Sequence, residues 1–222
     1  MRLQARALLL ICSSIFISSS TYAADAQPAA TVQFTLDFPG ANPSHYEISV
    51  AADGPSSYTS DGKLDEQSGP GDPTPLAFTL SDKTRGRIFD LAKGAHYFTG
   101  KADSGRKNLA NTGAKTLVYK DKSRNSQATY NYSSVPEIQQ LTEIFQSLST
   151  TLEYGRRLSY FHKYEKLALE QDLKRMEELQ REHSFGDIQA IAPVLKQIAD
   201  DSSVITVTRS RALRLLSAAQ NH

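Results

Sequence analysis

An α+β fold, a small antiparallel sheet with covering helices followed by a C-terminal helical hairpin, is predicted by three features of the 222-residue chain. Apolar and polar residues alternate in short runs through its first half, the pattern of half-buried strands. Composition changes near residue 134, since all prolines but Pro136 and Pro193 and all glycines but Gly155 and Gly186 precede it. Beyond that point Leu, Glu, Gln, Lys and Arg dominate, and apolar residues recur at spacings of three and four, as in amphipathic helices. Strands first and helices afterwards is the α+β order. The predicted segments are a signal peptide over 1–23, a disordered N-terminal stretch over 24–30, an α+β module over 31–150 and a helical hairpin over 151–222.

The first strand is predicted at Val32–Phe38, where alternation is strict until Pro39-Gly40 ends it. Tyr46, Ile48 and Val50 repeat the pattern, and Asp53-Gly54 turns the chain into Ser57-Tyr58-Thr59, which together read as a hairpin. Lys63 to Pro75 contains Gly69-Pro70-Gly71-Asp72-Pro73 and reads as a loop. Leu76–Leu80 is a short extended segment. Ser81 then caps a helix with Asp82 in its first turn, with Ile88, Leu91 and Ala92 as its apolar stripe and Gly94 as its stop. Two further strands are expected over 115–120 and 127–133, joined by a turn at 121–126. The expected sheet has three to five strands.

In the second half Ser134 is the expected N-cap, and Pro136 sits in the first turn, where its missing N–H does no harm. Ile138, Leu141, Phe145, Leu148 and Leu152 form a stripe suited to closing over the sheet. The helical pattern continues through Leu158, Phe161, Leu169, Leu173, Met176 and Leu179. Gly155 is the natural place for a break. His183–Gly186 ends this stretch, Ile188, Ile191, Leu195 and Ile198 mark the next helix, and Asp200-Asp201-Ser202 is expected to cap a last one. The short turn predicts that the return helices run antiparallel to 156–182.

The N-terminus predicts export. Arg2 and Arg6 precede an apolar run from Ala7 to Ile17, and small residues around Ala23 and Ala26 suit cleavage. Ser18-Ser19-Ser20 ends the run before the ~20 residues that a membrane-spanning helix needs. Of 25 basic and 24 acidic residues, the segment carries two basic ones and no acidic one, so the remainder has a net charge of 23 − 24, or −1. That balance gives no footprint for nucleic acid or for an anionic membrane. Cleavage also removes the only cysteine, Cys12, which excludes thiolate catalysis and Cys-ligated zinc from the mature chain. The expected location is the periplasm or the extracellular space, with no membrane span after cleavage.

The chemistry-bearing patterns are sparse. Thr112-Gly113-Ala114-Lys115-Thr116 has a phosphate loop's residue types, but Ala114 splits the Gly-Lys pair and a strand follows instead of a helix. No histidine lies four residues from another, and the His162/Glu165 pair reads as a polar helix face rather than a metal site. No cofactor and no catalytic residue is predicted. Tyr46, Tyr58, Tyr119, Tyr130 and Tyr132 gather in the β half; they read as sheet packing, with an exposed patch for sugar or protein as the alternative. Arg209, Arg211 and Arg214 on the last helix face Glu177, Glu178 and Glu182 on the long one, which predicts pairing between helices.

One resemblance adds to this reading. The order runs from a hairpin with an Asp53-Gly54 turn and Tyr58, through a helix over 80–91 leading to Phe98, to Thr112–Tyr119 and Tyr130-Asn131-Tyr132. It closes with a helix on Ile138, Leu141, Phe145 and Leu148. This layout resembles uncharacterised exported bacterial families and is similar to emfourin-type metallopeptidase inhibitors. It covers about half the chain, as patterning without a diagnostic motif, and implies a binding protein. The expected function is therefore a non-catalytic protein-binding or inhibitor-like module. The alternatives are a structural envelope protein that self-associates through its helices and a hydrolase with an unrecognised site. The expected partner is another exported or envelope protein, or a second copy. The expected contact surface is the helical hairpin around Phe161, Leu169 and Met176, whose apolar residues spread over more than one face.

Overall fold

The computed structural model describes residues 29–64, 75–182 and 184–220. The expected signal peptide, most of the N-terminal stretch over 24–30 and the centre of the glycine-proline loop lie outside these residues.

Six antiparallel strands form one sheet in the order β4-β3-β2-β1-β5-β6, one more than the upper expectation. They are β1 (Thr31–Asp37), β2 (His45–Ala51), β3 (Ser56–Ser60), β4 (Leu76–Phe78), β5 (Ala114–Lys120) and β6 (Asn125–Tyr130). The alternation predicted along β1 is realised: Val32, Phe34 and Leu36 are buried, while Thr31, Gln33 and Thr35 are half-exposed. Register carries that choice across the sheet, because Phe34 stands opposite both Ile48 and Leu117, and cross-strand partners share a face. The outer face is polar, with Thr35 opposite Glu47 and Thr116.

Two helices cover the apolar face. Helix α1 (Asp82–Gly94) starts as predicted, with the Ser81 side chain accepting from the Thr84 N–H. It buries Ile88, Leu91 and Ala92. Helix α2 (Pro136–Tyr164) crosses the sheet and buries the whole Ile138–Leu152 stripe. Its N-cap is Val135, one residue later than expected, and Pro136 opens its first turn. The Phe145 ring stacks on Phe34 with centroids 5.1 Å apart and planes within 2°. The buried side chains of sheet and helices form a single cluster.

Helix α2 does not break at Gly155, so the expected segment boundary at 150/151 falls inside a continuous helix. The glycine serves close approach. A Cβ there would lie 2.4 Å from Ile191 Cγ2. Gly155→Leu is therefore expected to destabilise the fold by about 1–3 kcal/mol through overpacking, and Ile191→Ala in the same chain should recover part of the loss. Urea unfolding of the three variants checks this.

The break comes at Glu165, whose backbone (φ −143°, ψ 59°) leaves the helical region. A short turn over 165–168 leads to α3 (Leu169–Arg181), which doubles back along α2. The chain then returns over α2, where the Gly186 N–H donates to Ser147 O and Thr151 Oγ1. A 3-10 turn over Ile188–Ile191 leads to α4 (Ala192–Asp200) and α5 (Thr206–Gln220), which pack as a C-terminal pair. The last helix starts four residues beyond Ser202, so Asp201 ends α4 instead of capping α5.

The predicted basic-to-acidic pairing of helices is present, with different partners in detail. Arg211 reaches Glu170 and Glu177, and Arg214 reaches Glu177. Glu178 pairs with Arg175 on its own helix, and Arg209 donates to Ala199 O. Because Thr208 and Arg211 meet Glu170 while Arg211 and Arg214 meet Glu177, α3 and α5 run in the same direction. The antiparallel expectation fails there because α4 inserts a second reversal between them.

Candidate functional site

The predicted contact surface is interior. Phe161 is 8% exposed, and Leu169 and Met176 are fully buried. Helices α2, α3 and α5 supply enough apolar faces to cover all three, so the surplus inferred from spacing is absorbed within the chain. These residues belong to the core and are not available to a partner in this fold.

Sequence reading missed the apolar side chains left outside. Tyr164 ends α2, Leu167 occupies the turn before α3, and Ile205 precedes α5; they are 61%, 83% and 49% exposed. Val207 is 48% exposed, while Val204, three residues earlier, is buried. A late helix start explains this, since Val207 then falls in the first turn on the outer side.

An electrostatic node brings the two ends together. Asp201 accepts from His162 Nε2 at 2.9 Å, from Lys166 Nζ at 2.7 Å and from the Ser203 N–H and hydroxyl at 2.9 and 2.6 Å. Lys166 also bonds the Ser203 hydroxyl. The α2–α3 turn is thus tied to the α4–α5 turn, which places Tyr164, Leu167 and Ile205 at one apex of the helical layer. The Lys166 ammonium, then Ser203 and His162, hold the Asp201 carboxyl well below the usual carboxylate range. A carboxyl lowered in the folded state stabilises it above the unfolded pKa of about 3.9 and loses that effect as pH falls through the folded value. Asp201→Asn is therefore expected to be less stable than the parent at pH 7, with the gap shrinking below about pH 4. Urea midpoints from pH 7 to pH 2.5 measure it.

The node is not a hydrolytic triad. In that arrangement the imidazole bridges serine and carboxylate, whereas here the carboxylate bridges imidazole and serine. A second polar cluster is buried between β3 and α2. Tyr58 donates to Glu153 Oε1 at 2.7 Å and meets Ser149 Oγ at 3.1 Å, while Arg156 Nη1 reaches Glu153 and Ser60 Oγ, each at 2.9 Å. Burial, then the Glu153 charge, pushes the Tyr58 phenol up, so it stays a neutral donor. Every member of this cluster is satisfied by another member. Among the described residues no serine hydroxyl bonds an imidazole, and no group of three His, Cys, Asp or Glu is placed to hold a metal. The described helices include none long and apolar enough to cross a membrane.

Of the five tyrosines, Tyr46, Tyr58, Tyr119 and Tyr130 are buried sheet packing and only Tyr132 stays at the surface. Lys115, from the stretch with phosphate-loop residue types, points inward from β5. Comparison with protein-family models, with curated proteins and with solved structures finds no match for this chain.

Proposed function

We propose that the chain is an exported, non-catalytic protein-binding module whose contact is the apex of Tyr164, Leu167 and Ile205. The observation that carries this reading is Leu167, an aliphatic side chain 83% exposed on a turn held rigid by the Asp201 node. Ordered apolar side chains left in water favour burial by a partner, and a pre-ordered turn loses little entropy on binding. A side chain as exposed as Leu167 fits a cleft on its partner. Two such apices meeting tip to tip would cover far less than the ~1,200 Å² or more of a stable interface, so a different protein with an apolar cleft is the expected occupant. The resemblance to emfourin-type inhibitors supports a binding role.

The test uses Leu167→Glu/Ile205→Glu in the exported chain. Both positions are exposed, so the urea midpoint is expected to stay unchanged. A protein captured from envelope extract by the parent chain and lost with the variant, while light scattering reports a monomer for both, supports the reading. An identical captured set, or a parent oligomer that the variant dissolves, overturns it.

A further inference from the structure

A pocket lies where the β5–β6 end of the sheet meets the first turns of α2. It is an open cleft of about 430 Å³, within the ~300–1,000 Å³ typical of small-molecule sites. Its floor is buried and polar. Lys115 is 3% exposed, yet its ammonium has no carboxylate partner among the described residues. It donates instead to Thr112 Oγ1 at 2.8 Å and to the carbonyls of Thr112, Gly113 and Asn131 at 3.1, 3.2 and 2.9 Å. Burying a cation without a counter-ion is costly. What it achieves here is to lock residues 112–113 to residue 131 on the adjoining strand end.

The other walls are fixed too. Asn131 Oδ1 accepts from the Thr112 N–H at 2.9 Å, and its amide donates to Ala110 O at 3.0 Å. Tyr130, its phenol pushed up to about 12 by burial, bonds Thr142 Oγ1 at 2.6 Å. At the rim Tyr132 is 40% exposed but not loose, because Gln139 Nε2 donates to its hydroxyl at 2.9 Å. An aromatic ring is thereby held at the mouth with its polar end bonded and part of its surface in solvent. Glu143 and Gln146, one turn apart on α2, line the same pocket, and their side chains have no hydrogen-bond partner among the described residues.

We propose that this pocket binds a neutral, hydroxyl-rich ligand of monosaccharide size, with Tyr132 as its apolar platform and Glu143 and Gln146 as its hydrogen-bonding pair. The charge pattern selects the class. The three N–H groups of Lys115 already serve four oxygens, leaving none for an anion, and Glu143 at the mouth repels one. A lone carboxylate is a poor cage for a metal ion. A carboxylate accepts from hydroxyls, and an amide both donates and accepts, which matches adjacent hydroxyl groups of a sugar. The inference is independent of the protein-binding apex, which involves none of these residues.

The experiment is a titration of the isotopically labelled full exported chain, followed by NMR, with glucose, galactose, mannose and N-acetylglucosamine. Glucuronate and inorganic phosphate serve as charged controls. Saturable shifts confined to residues 112–115 and 130–146 are expected with at least one neutral sugar. Tyr132→Ala and Gln146→Ala, both at exposed positions, are expected to weaken that binding about tenfold or more at an unchanged urea midpoint. Thr35→Ala on the open sheet face should leave it intact. Shifts with glucuronate or phosphate alone, no saturation with any neutral sugar, or affinity indifferent to Tyr132→Ala would each overturn the proposal.

Discussion

Phe145→Ala is expected to destabilise the fold by about 3–5 kcal/mol, the range for removing a fully buried aromatic ring. Phe145 has no exposed surface and lies flat on Phe34, which in turn meets Tyr46, with Tyr58 beyond it at centroid distances of 6.0 and 6.1 Å. The ring from α2 thus caps an aromatic row that crosses β1, β2 and β3. Deleting it opens a cavity between sheet and helix, and neither element can collapse into the space because each is held by its own backbone hydrogen bonds. Phe145→Leu should cost less, since it retains part of the volume. Urea unfolding followed by far-UV and near-UV circular dichroism measures both the loss and its shape. One shared transition is expected, because sheet and helices have one core. Two separated transitions in the variant, or a loss under about 1 kcal/mol, would show that the sheet and the helical layer are stabilised separately.

Glu153→Ala is the second large effect, with an expected loss of about 3–5 kcal/mol. Its carboxylate is the sole charged partner of Arg156 among the described contacts, and the two side chains are only 11% and 13% exposed. Removal leaves a guanidinium held by the Ser60 hydroxyl alone and a Tyr58 phenol without its strongest acceptor. Gly62 makes the site still less forgiving of a misplaced side chain, as a Cβ there would lie 2.4 Å from Glu153 Oε2. The physical point is asymmetry: breaking a buried pair costs more than replacing both partners with apolar groups. Glu153→Leu/Arg156→Met is therefore expected to be more stable than Glu153→Ala. Paired urea titrations decide it, and a double variant that is the weaker of the two would mean that the cluster is held by its hydrogen bonds rather than by charge balance.

Much of the local structure was legible because it depends on short-range periodicity. Alternation marked β1 and β2, the Asp53-Gly54 turn marked β3, Ser81 marked the start of α1, and the Ile138–Leu152 stripe marked the half of α2 that closes the sheet. Lys115 was legible in principle, since it shares parity with Leu117 and Tyr119 and so had to face inward. Its residue type argued for solvent, and only the carbonyls gathered from two strand ends make its burial tolerable.

What the sequence determined by itself is therefore the α+β order, the inner faces of β1, β2 and β5 and the apolar stripes of α1 and of the first half of α2, all consequences of a backbone period of 2 or 3.6 residues. Tertiary structure alone decided three further things. Gly155 became a contact point because Ile191, 36 residues on, presses against it. Phe161, Leu169 and Met176 became core because α5 returns alongside α3. Tyr164, Leu167 and Ile205 became an apex because Asp201 bonds His162 and Lys166 across more than 30 residues of chain. Each outcome rests on a contact between distant segments, and no periodicity within a helix or strand encodes which other element will cover it.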